Sequence, residues 1–160
     1  AISEFAARAA EKLRKQGCMA GQILVFAHTS PHRPGPRFHR SVVVPLRRPT
    51  ADTGLLVQSA LAGMRQIYAP GHQLIKAGVM LLDLTPDTTD QPELALEPDT
   101  TPDRSRLMST MDALNMRFGK DTLHVASTGN DGSTRAWGMR QERRSPHYTT
   151  VWAEVLTVKA

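Results

Sequence analysis

Few side chains in this sequence have the type and spacing that catalysis or metal binding requires. Cys18 is the only cysteine, and no activating group stands beside it, so a packed thiol is favoured over a nucleophile. His28 and His32 are four residues apart, but Pro31 denies them a shared helical face, and no cysteine or carboxylate completes a zinc set. An enzyme using either feature is the least favoured function, and we predict no catalytic residue and no metal site.

The charges are segregated along the chain, whose net charge is +5. Residues 1–84 and 104–160 are basic, whereas residues 85–103 contain acidic residues but no lysine or arginine. Two basic blocks joined by an acidic strap suggest two modules that contact a polyanion, although a basic surface that only aids solubility is the alternative. The single cysteine and the lack of an apolar run of about 18 residues favour a cytoplasmic protein without a membrane partner.

The residue patterns over 1–84 predict the order helix, strand, strand, helix, strand. Helices are predicted over Ile2–Gln16, capped by Ser3, and after a cap at Thr50 or Asp52; strands are predicted over Cys18–His28, Ser41–Leu46 and Gln73–Leu84. The last strand is almost continuously apolar, which is typical of a buried central strand. Pro45 favours an edge position for the second strand.

These elements predict an α+β fold, an antiparallel sheet with two helices on one face. A four-stranded ferredoxin-like sheet would need one more strand before the first helix. Residues 85–103, rich in proline, threonine and acid, predict a flexible linker. Residues 104–160 predict a small α+β C-terminal module, with a helix over Leu107–Phe118 and short strands over Leu123–Ala126 and Arg135–Met139.

Two stretches carry a resemblance to a known family. They are IKAGVML at residues 75–81 and RRSPHYTT at residues 143–150. In these motifs and in element order the chain resembles the UmuC-type Y-family DNA polymerases. Residues 1–84 resemble the little-finger domain, from inside its first helix to its last strand, and residues 104–160 resemble the C-terminal region peculiar to UmuC-type polymerases.

The resemblance implies that the chemistry lies outside this chain. In the family, three carboxylates of a palm domain hold two metal ions for phosphoryl transfer. This chain contains neither that domain nor the first little-finger strand, so alone it is expected not to polymerise DNA and to need no cofactor. The parent polymerase would use Mg²⁺ in its palm, and only that parent would be an enzyme.

The resemblance also implies binding to duplex primer–template DNA through backbone phosphates. Phosphate contacts position a protein without reading bases, which suits a polymerase that copies damaged templates. The candidate contacts share a hydroxyl or a positive charge: Thr29, Ser30, His32, Arg33, Arg37, Arg40 and Lys76. Lys76 is the strongest candidate because it lies within the matched motif, and an exposed strand residue without a partner is the alternative.

A second implied contact lies in the linker, where UmuC-type polymerases carry a sliding-clamp-binding peptide. Gln91, Leu94 and Leu96 would offer one polar and two apolar anchors. Pro92 and Ala95 stand where leucine and phenylalanine would be typical, and a solvated linker is the alternative.

In the C-terminal region, Arg143, Arg144 and Tyr148 would form a surface for a processed UmuD-like dimer or a recombinase filament, or would belong to a structural cap. The favoured function is thus the non-catalytic part of an error-prone translesion polymerase, acting in DNA repair and damage tolerance at the bacterial nucleoid. The alternative is a stand-alone interaction module that competes for the clamp or for polymerase partners.

Overall fold

The computed structural model describes residues 1–88, 103–129 and 143–157. In chain order the elements are α1 (Ile2–Lys15), β1 (Cys18–Thr29), β2 (His39–Thr50), α2 (Thr53–Ile67), β3 (Leu74–Pro86), α3 (Ser105–Phe118) and two 3₁₀ turns, Ala126–Thr128 and Trp152–Glu154. The predicted α+β class and element order are confirmed, and β2 is longer than predicted at both ends. None of the described helices is long and apolar enough to cross a membrane.

The sheet has the strand order β2-β1-β3, and both strand pairs are antiparallel. The central strand is therefore β1, and the prediction of a central position for β3 is wrong. Val79 and Leu81 of β3 pack in the core, whereas Met80 is 54% exposed on the other face. Strand β3 carries apolar side chains on both faces of the sheet, but only the face beneath the helices is buried. The continuous apolar run therefore does not indicate burial on both sides.

Helices α1 and α2 cover one face of the sheet, as predicted. Ile23 and Val25 of β1 are fully buried beneath them, together with Leu56 and Val57 of α2. Small residues let the helices lie close to the sheet and to each other: Ala6 and Ala10 of α1 and Ala60 and Gly63 of α2. Apolar burial of this kind contributes about 25 cal/mol per Å².

The ends of the helices follow local chemistry, with one exception. Gly17 ends α1 in a left-handed conformation (φ 62°) and donates its N–H to the Arg14 carbonyl, a position that glycine occupies without steric cost. Asp52 caps α2 by accepting a hydrogen bond from the Leu55 N–H at 2.9 Å. The predicted Ser3 cap is wrong: α1 starts at Ile2, as predicted, so Ser3 lies inside its first turn, and the N-cap residue Ala1 provides no side-chain cap.

The predicted strand Leu123–Ala126 does not form. The side-chain amide of Asn115, in the last turn of α3, donates to the Leu123 carbonyl at 2.9 Å and accepts from the Leu123 N–H at 2.7 Å. Because one side chain satisfies both backbone groups, this segment needs no partner strand, and the chain turns into a 3₁₀ turn at Ala126. The other predicted strand, Arg135–Met139, lies outside the described residues.

Helix α3 is docked on the helical layer through Arg14 of α1. The Arg14 guanidinium donates two hydrogen bonds of 2.7 Å to the Asp112 carboxylate of α3. Its remaining nitrogen donates to the Ala51 carbonyl and to the Thr53 hydroxyl, both at 2.8 Å. Met108, the buried residue of α3, packs beside Thr53. One arginine therefore joins α1, the start of α2 and α3.

Candidate nucleic-acid interface

The side chains of β1 that alternate with its buried core residues, and their partners on β2 and β3, lie on the face of the sheet opposite the helices. We call it the open face. It consists of four cross-strand rows: His39–His28–Lys76, Ser41–Phe26–Gly78, Val43–Leu24–Met80 and Pro45–Gln22–Leu82. These residues are half-buried or exposed, so the face is available to a partner.

The open face is basic at one end and apolar in the middle. The basic end is the row in which His28 pairs with His39 on one side and with Lys76 on the other. The rings of His28 and His39 lie 5.9 Å apart. The loop of residues 30–38 joins β1 to β2 at this same end, which brings Arg33 and Arg37 to the side of the row where the strands end.

Phe26 lies flat across the neighbouring strand because Gly78 has no side chain. A Cβ at Gly78 would stand 2.6 Å from Cζ of the Phe26 ring, well inside contact distance. The Phe26 ring in turn stacks on His28, with centroids 6.5 Å apart and an interplanar angle of 16°. Gly78, the glycine of the IKAGVML stretch, thus leaves space for the Phe26 ring, which packs against His28 in the basic row.

Gly78→Val should destabilise the protein by about 1–3 kcal/mol, because overpacking forces the Phe26 ring off the sheet. Intrinsic strand propensity alone would predict the opposite effect, because valine is a better strand former than glycine. Urea unfolding followed by circular dichroism measures it. Ser41→Val, on the other side of Phe26 in the same row, is the matched control and should change stability by less than about 0.5 kcal/mol. Equal losses in both variants would contradict the close packing of Phe26 on Gly78.

Two of the predicted DNA contacts serve local structure. The Thr29 hydroxyl accepts a hydrogen bond from the Phe38 N–H at 2.9 Å and so closes the loop between β1 and β2. The Ser30 hydroxyl accepts from the His32 N–H at 3.2 Å. Both residues lie at the basic end of the open face, but these hydroxyls already have partners within the loop.

The other predicted contacts divide between the two sides of the sheet. His32, Arg33 and Arg37 are exposed in the loop, and Lys76 is exposed on the open face. Arg40 pairs with Ala27, a fully buried core residue, so its side chain starts on the helical side. There its guanidinium lies 5.3 Å from the Phe38 ring centroid. The structure therefore places Lys76 and the loop at the same end of the sheet and starts the Arg40 side chain on the other face.

The candidate C-terminal surface is exposed. Arg143 and Arg144 are exposed, and Tyr148 lies in a turn that is closed by hydrogen bonds from the N–H groups of Thr150 and Val151 to the His147 carbonyl. The candidate clamp-binding residues Gln91, Leu94 and Leu96 lie outside the described residues.

Within residues 1–88, 103–129 and 143–157, two side chains have a displaced pKa, and neither is on the open face. The backbone N–H and the hydroxyl of Ser105 donate to Asp103 and hold the pKa of that carboxyl below its usual range. The hydrogen bond and the charge of Glu11 raise the pKa of Lys15 on α1. In the part of the chain that the structure describes, no three His, Cys, Asp or Glu side chains are grouped to hold a metal ion.

Sequence reasoning missed Phe26, His28 and His39 as members of the candidate interface. The alternation of core and non-core residues along β1 places Phe26 and His28 on one face. However, His39 lies beside them only because of the register of β2 against β1. That register cannot be predicted from the sequence across the proline-rich loop. No local pattern indicates that Arg14, one of four basic residues on α1, is anchored to α3.

Two family descriptions match this chain. Residues 1–94 match the impB/mucB/samB family C-terminal domain, and residues 105–158 match a domain of unknown function (DUF4113). The chain belongs to the impB/mucB/samB family. The first match covers the sheet and its two helices, so the open face and Arg14 lie within the region that defines the family.

Individual relatives agree with this assignment. The chain is 37% identical to protein UmuC of Salmonella typhimurium over 99% of its length, 34% identical to protein ImpB of the same species over 97%, and 35% identical to protein MucB of Escherichia coli over 97%. It spans just over a third of the length of these curated relatives. The resemblance to the C-terminal region of UmuC-type Y-family polymerases is thereby confirmed.

Proposed function

We propose that this chain is the DNA-holding, non-catalytic part of an error-prone translesion polymerase of the UmuC type, acting in DNA damage tolerance. The observation that carries the proposal is the basic end of the open face. There Lys76 and His28 pair across two strands, at the end of the sheet where the loop carries the exposed Arg33 and Arg37. Positive and hydrogen-bonding groups at one edge of a flat surface suit a duplex backbone.

The proposal assigns phosphoryl transfer to another part of a longer protein. Because the chain spans just over a third of its relatives, a palm with carboxylates and Mg²⁺ would belong to the remaining length. A cytoplasmic, nucleoid-associated location follows from this role.

We also propose partner contacts for the segments after β3. Gln91, Leu94 and Leu96 would dock in a sliding clamp, since their sequence offers one polar and two apolar anchors. Arg143, Arg144 and Tyr148 would contact a UmuD-like dimer or a recombinase filament, which the exposure of this segment permits.

Lys76→Glu should weaken binding to primer–template DNA about tenfold or more, because it replaces an attractive charge at a phosphate with a repulsive one. It should also make the slope of log affinity on log salt shallower by roughly 0.9, the value for one phosphate contact. Fluorescence anisotropy with a labelled primer–template duplex over a salt series measures both quantities.

The matched control is Lys12→Glu, which makes the same charge change on an exposed position of α1, in the layer that covers the opposite face. It should leave affinity within about twofold, because exposed charges more than a Debye length from DNA are screened. If both variants lose affinity equally, binding follows net charge alone and the open face is not the DNA site. Equal affinity for two unrelated duplex sequences is also expected, since phosphates carry no sequence information.

A further inference from the structure

The row of His39, His28 and Lys76 contains two histidines, the residue type that most often acts as a proton switch near neutral pH. His28 stands between the other two, paired with His39 on β2 and with Lys76 on β3. Adjacent strands lie about 4.8 Å apart, so all three side chains project from one short line across the sheet. Three cationic groups in such a line would repel one another unless an anion lay over them.

The His28 ring has a fixed orientation. Its Nδ1 lies 3.1 Å from the Thr29 carbonyl oxygen. A carbonyl can only accept a hydrogen bond, so Nδ1 carries the hydrogen and donates it. The remaining nitrogen, Nε2, is therefore the acceptor of the neutral ring, and it is a donor only in the imidazolium form.

The sequence segments on either side of the three residues of the row contain no carboxylate. Residues 28–40 and 72–78, which form the ends of β1, β2 and β3 with their connecting segments, include no aspartate or glutamate. The other charged or titratable groups are His32, Arg33 and Arg37 in the loop, with Arg40 and His72 on the helical side at Phe38. None of these groups can neutralise a protonated histidine, so a bound anion would be a favourable counter-ion for the row.

We infer that His39, His28 and Lys76 form a proton-linked phosphodiester site, so that binding of the DNA backbone takes up protons on the two histidines. This inference rests on the proposed function and adds its regulation by pH. The phosphodiester stays anionic throughout the physiological range. It relieves the repulsion within the row and favours the protonated imidazoles. By linkage, affinity for DNA rises as the pH falls.

The test is the affinity of the whole chain for a rhodamine-labelled primer–template duplex at pH 8 and at pH 6, at constant ionic strength. We expect binding to tighten about three- to tenfold at pH 6, which corresponds to an average uptake of roughly a quarter to a half of a proton between the two pH values. His28→Gln/His39→Gln should bind like the unmodified chain at pH 8 and lose most of the gain at pH 6.

Two further variants control for misfolding of the double variant and for the effect of a histidine elsewhere in the chain. His39→Gln alone changes an exposed side chain and should remove part of the gain, even if the double variant folds poorly. His124→Gln, an exposed histidine outside the sheet, should retain the gain. Circular dichroism at both pH values checks the fold of each variant.

The outcomes separate this inference from the proposed function. Tight binding with no pH dependence, or a gain that persists in the double variant, overturns the proton-linked site and leaves DNA binding intact. Failure of the folded chain to bind DNA at either pH overturns both. Loss of the gain in the double variant and its retention in His124→Gln supports the inference.

Discussion

Arg14→Met should lower the free energy of unfolding by about 2–3 kcal/mol, because it leaves the Asp112 carboxylate without its partner in a poorly solvated position. The side chains of Arg14 and Asp112 are only 13% and 21% exposed. The substitution also removes the hydrogen bonds to Ala51 and Thr53. Methionine keeps much of the apolar stem, so the loss reports polar contacts rather than a cavity.

Urea unfolding followed by circular dichroism measures the loss, and hydrogen exchange locates it. Exchange should increase in α3 (Ser105–Phe118) more than in β1, because Arg14 joins α3 to the helical layer. A double-mutant cycle with Asp112→Asn should give a coupling energy of about 1–3 kcal/mol.

Lys15→Met is the control for Arg14→Met. Lys15 is the next residue of α1 and forms an exposed ion pair with Glu11, so its loss should leave the free energy of unfolding almost unchanged. Equal losses at the two positions, or a coupling energy near zero, would contradict the role of Arg14 as an anchor for α3.

Gly63→Leu should destabilise the protein by about 3 kcal/mol or prevent folding, because α2 lies against the sheet at this residue. Even a Cβ here would stand 2.9 Å from Cγ2 of Val44 and 3.1 Å from Cγ2 of Val25. Those valines belong to β2 and β1, so a larger side chain must push the helix away from the sheet.

This prediction is tested by comparing the free energies of unfolding in urea of Gly63→Leu and of the control variant Gln58→Leu. Gln58 is exposed on the same helix, so the control adds the same side chain without burying it. Gln58→Leu should change stability by less than about 0.5 kcal/mol. A Gly63→Leu variant as stable as the control would show that α2 does not approach the sheet this closely.

Most of the local structure could be predicted from the sequence, because it depends on contacts between near neighbours. The helical spacing of Ala6, Ala10 and Leu13 predicts the buried side of α1, and these residues are buried. Asp52 is one of two predicted caps for α2 and is the one that forms. Pro45 indicates an edge strand, and β2 is an outer strand of the sheet.

The candidate interface could be predicted only in part. Lys76 and the loop arginines follow from residue type and from the resemblance to a polymerase family. Residue type predicts the same role for Arg40, but the register of β2 pairs it with the buried Ala27 and turns its side chain to the helical side. A shift of one residue in register reverses the face of every side chain in a strand, and local sequence constrains the register weakly across a proline-rich loop.

Periodicity, turn residues and charge are local properties, so the element order, the α+β class and the basic character of the chain follow from the sequence. The three-dimensional structure was needed to establish that β1 is the central strand, that Phe26 lies on Gly78, that His28 stands between His39 and Lys76, and that Arg14 holds Asp112. These features join residues far apart in the chain. Their partners are fixed by strand register and by helix packing, which no single segment of sequence specifies.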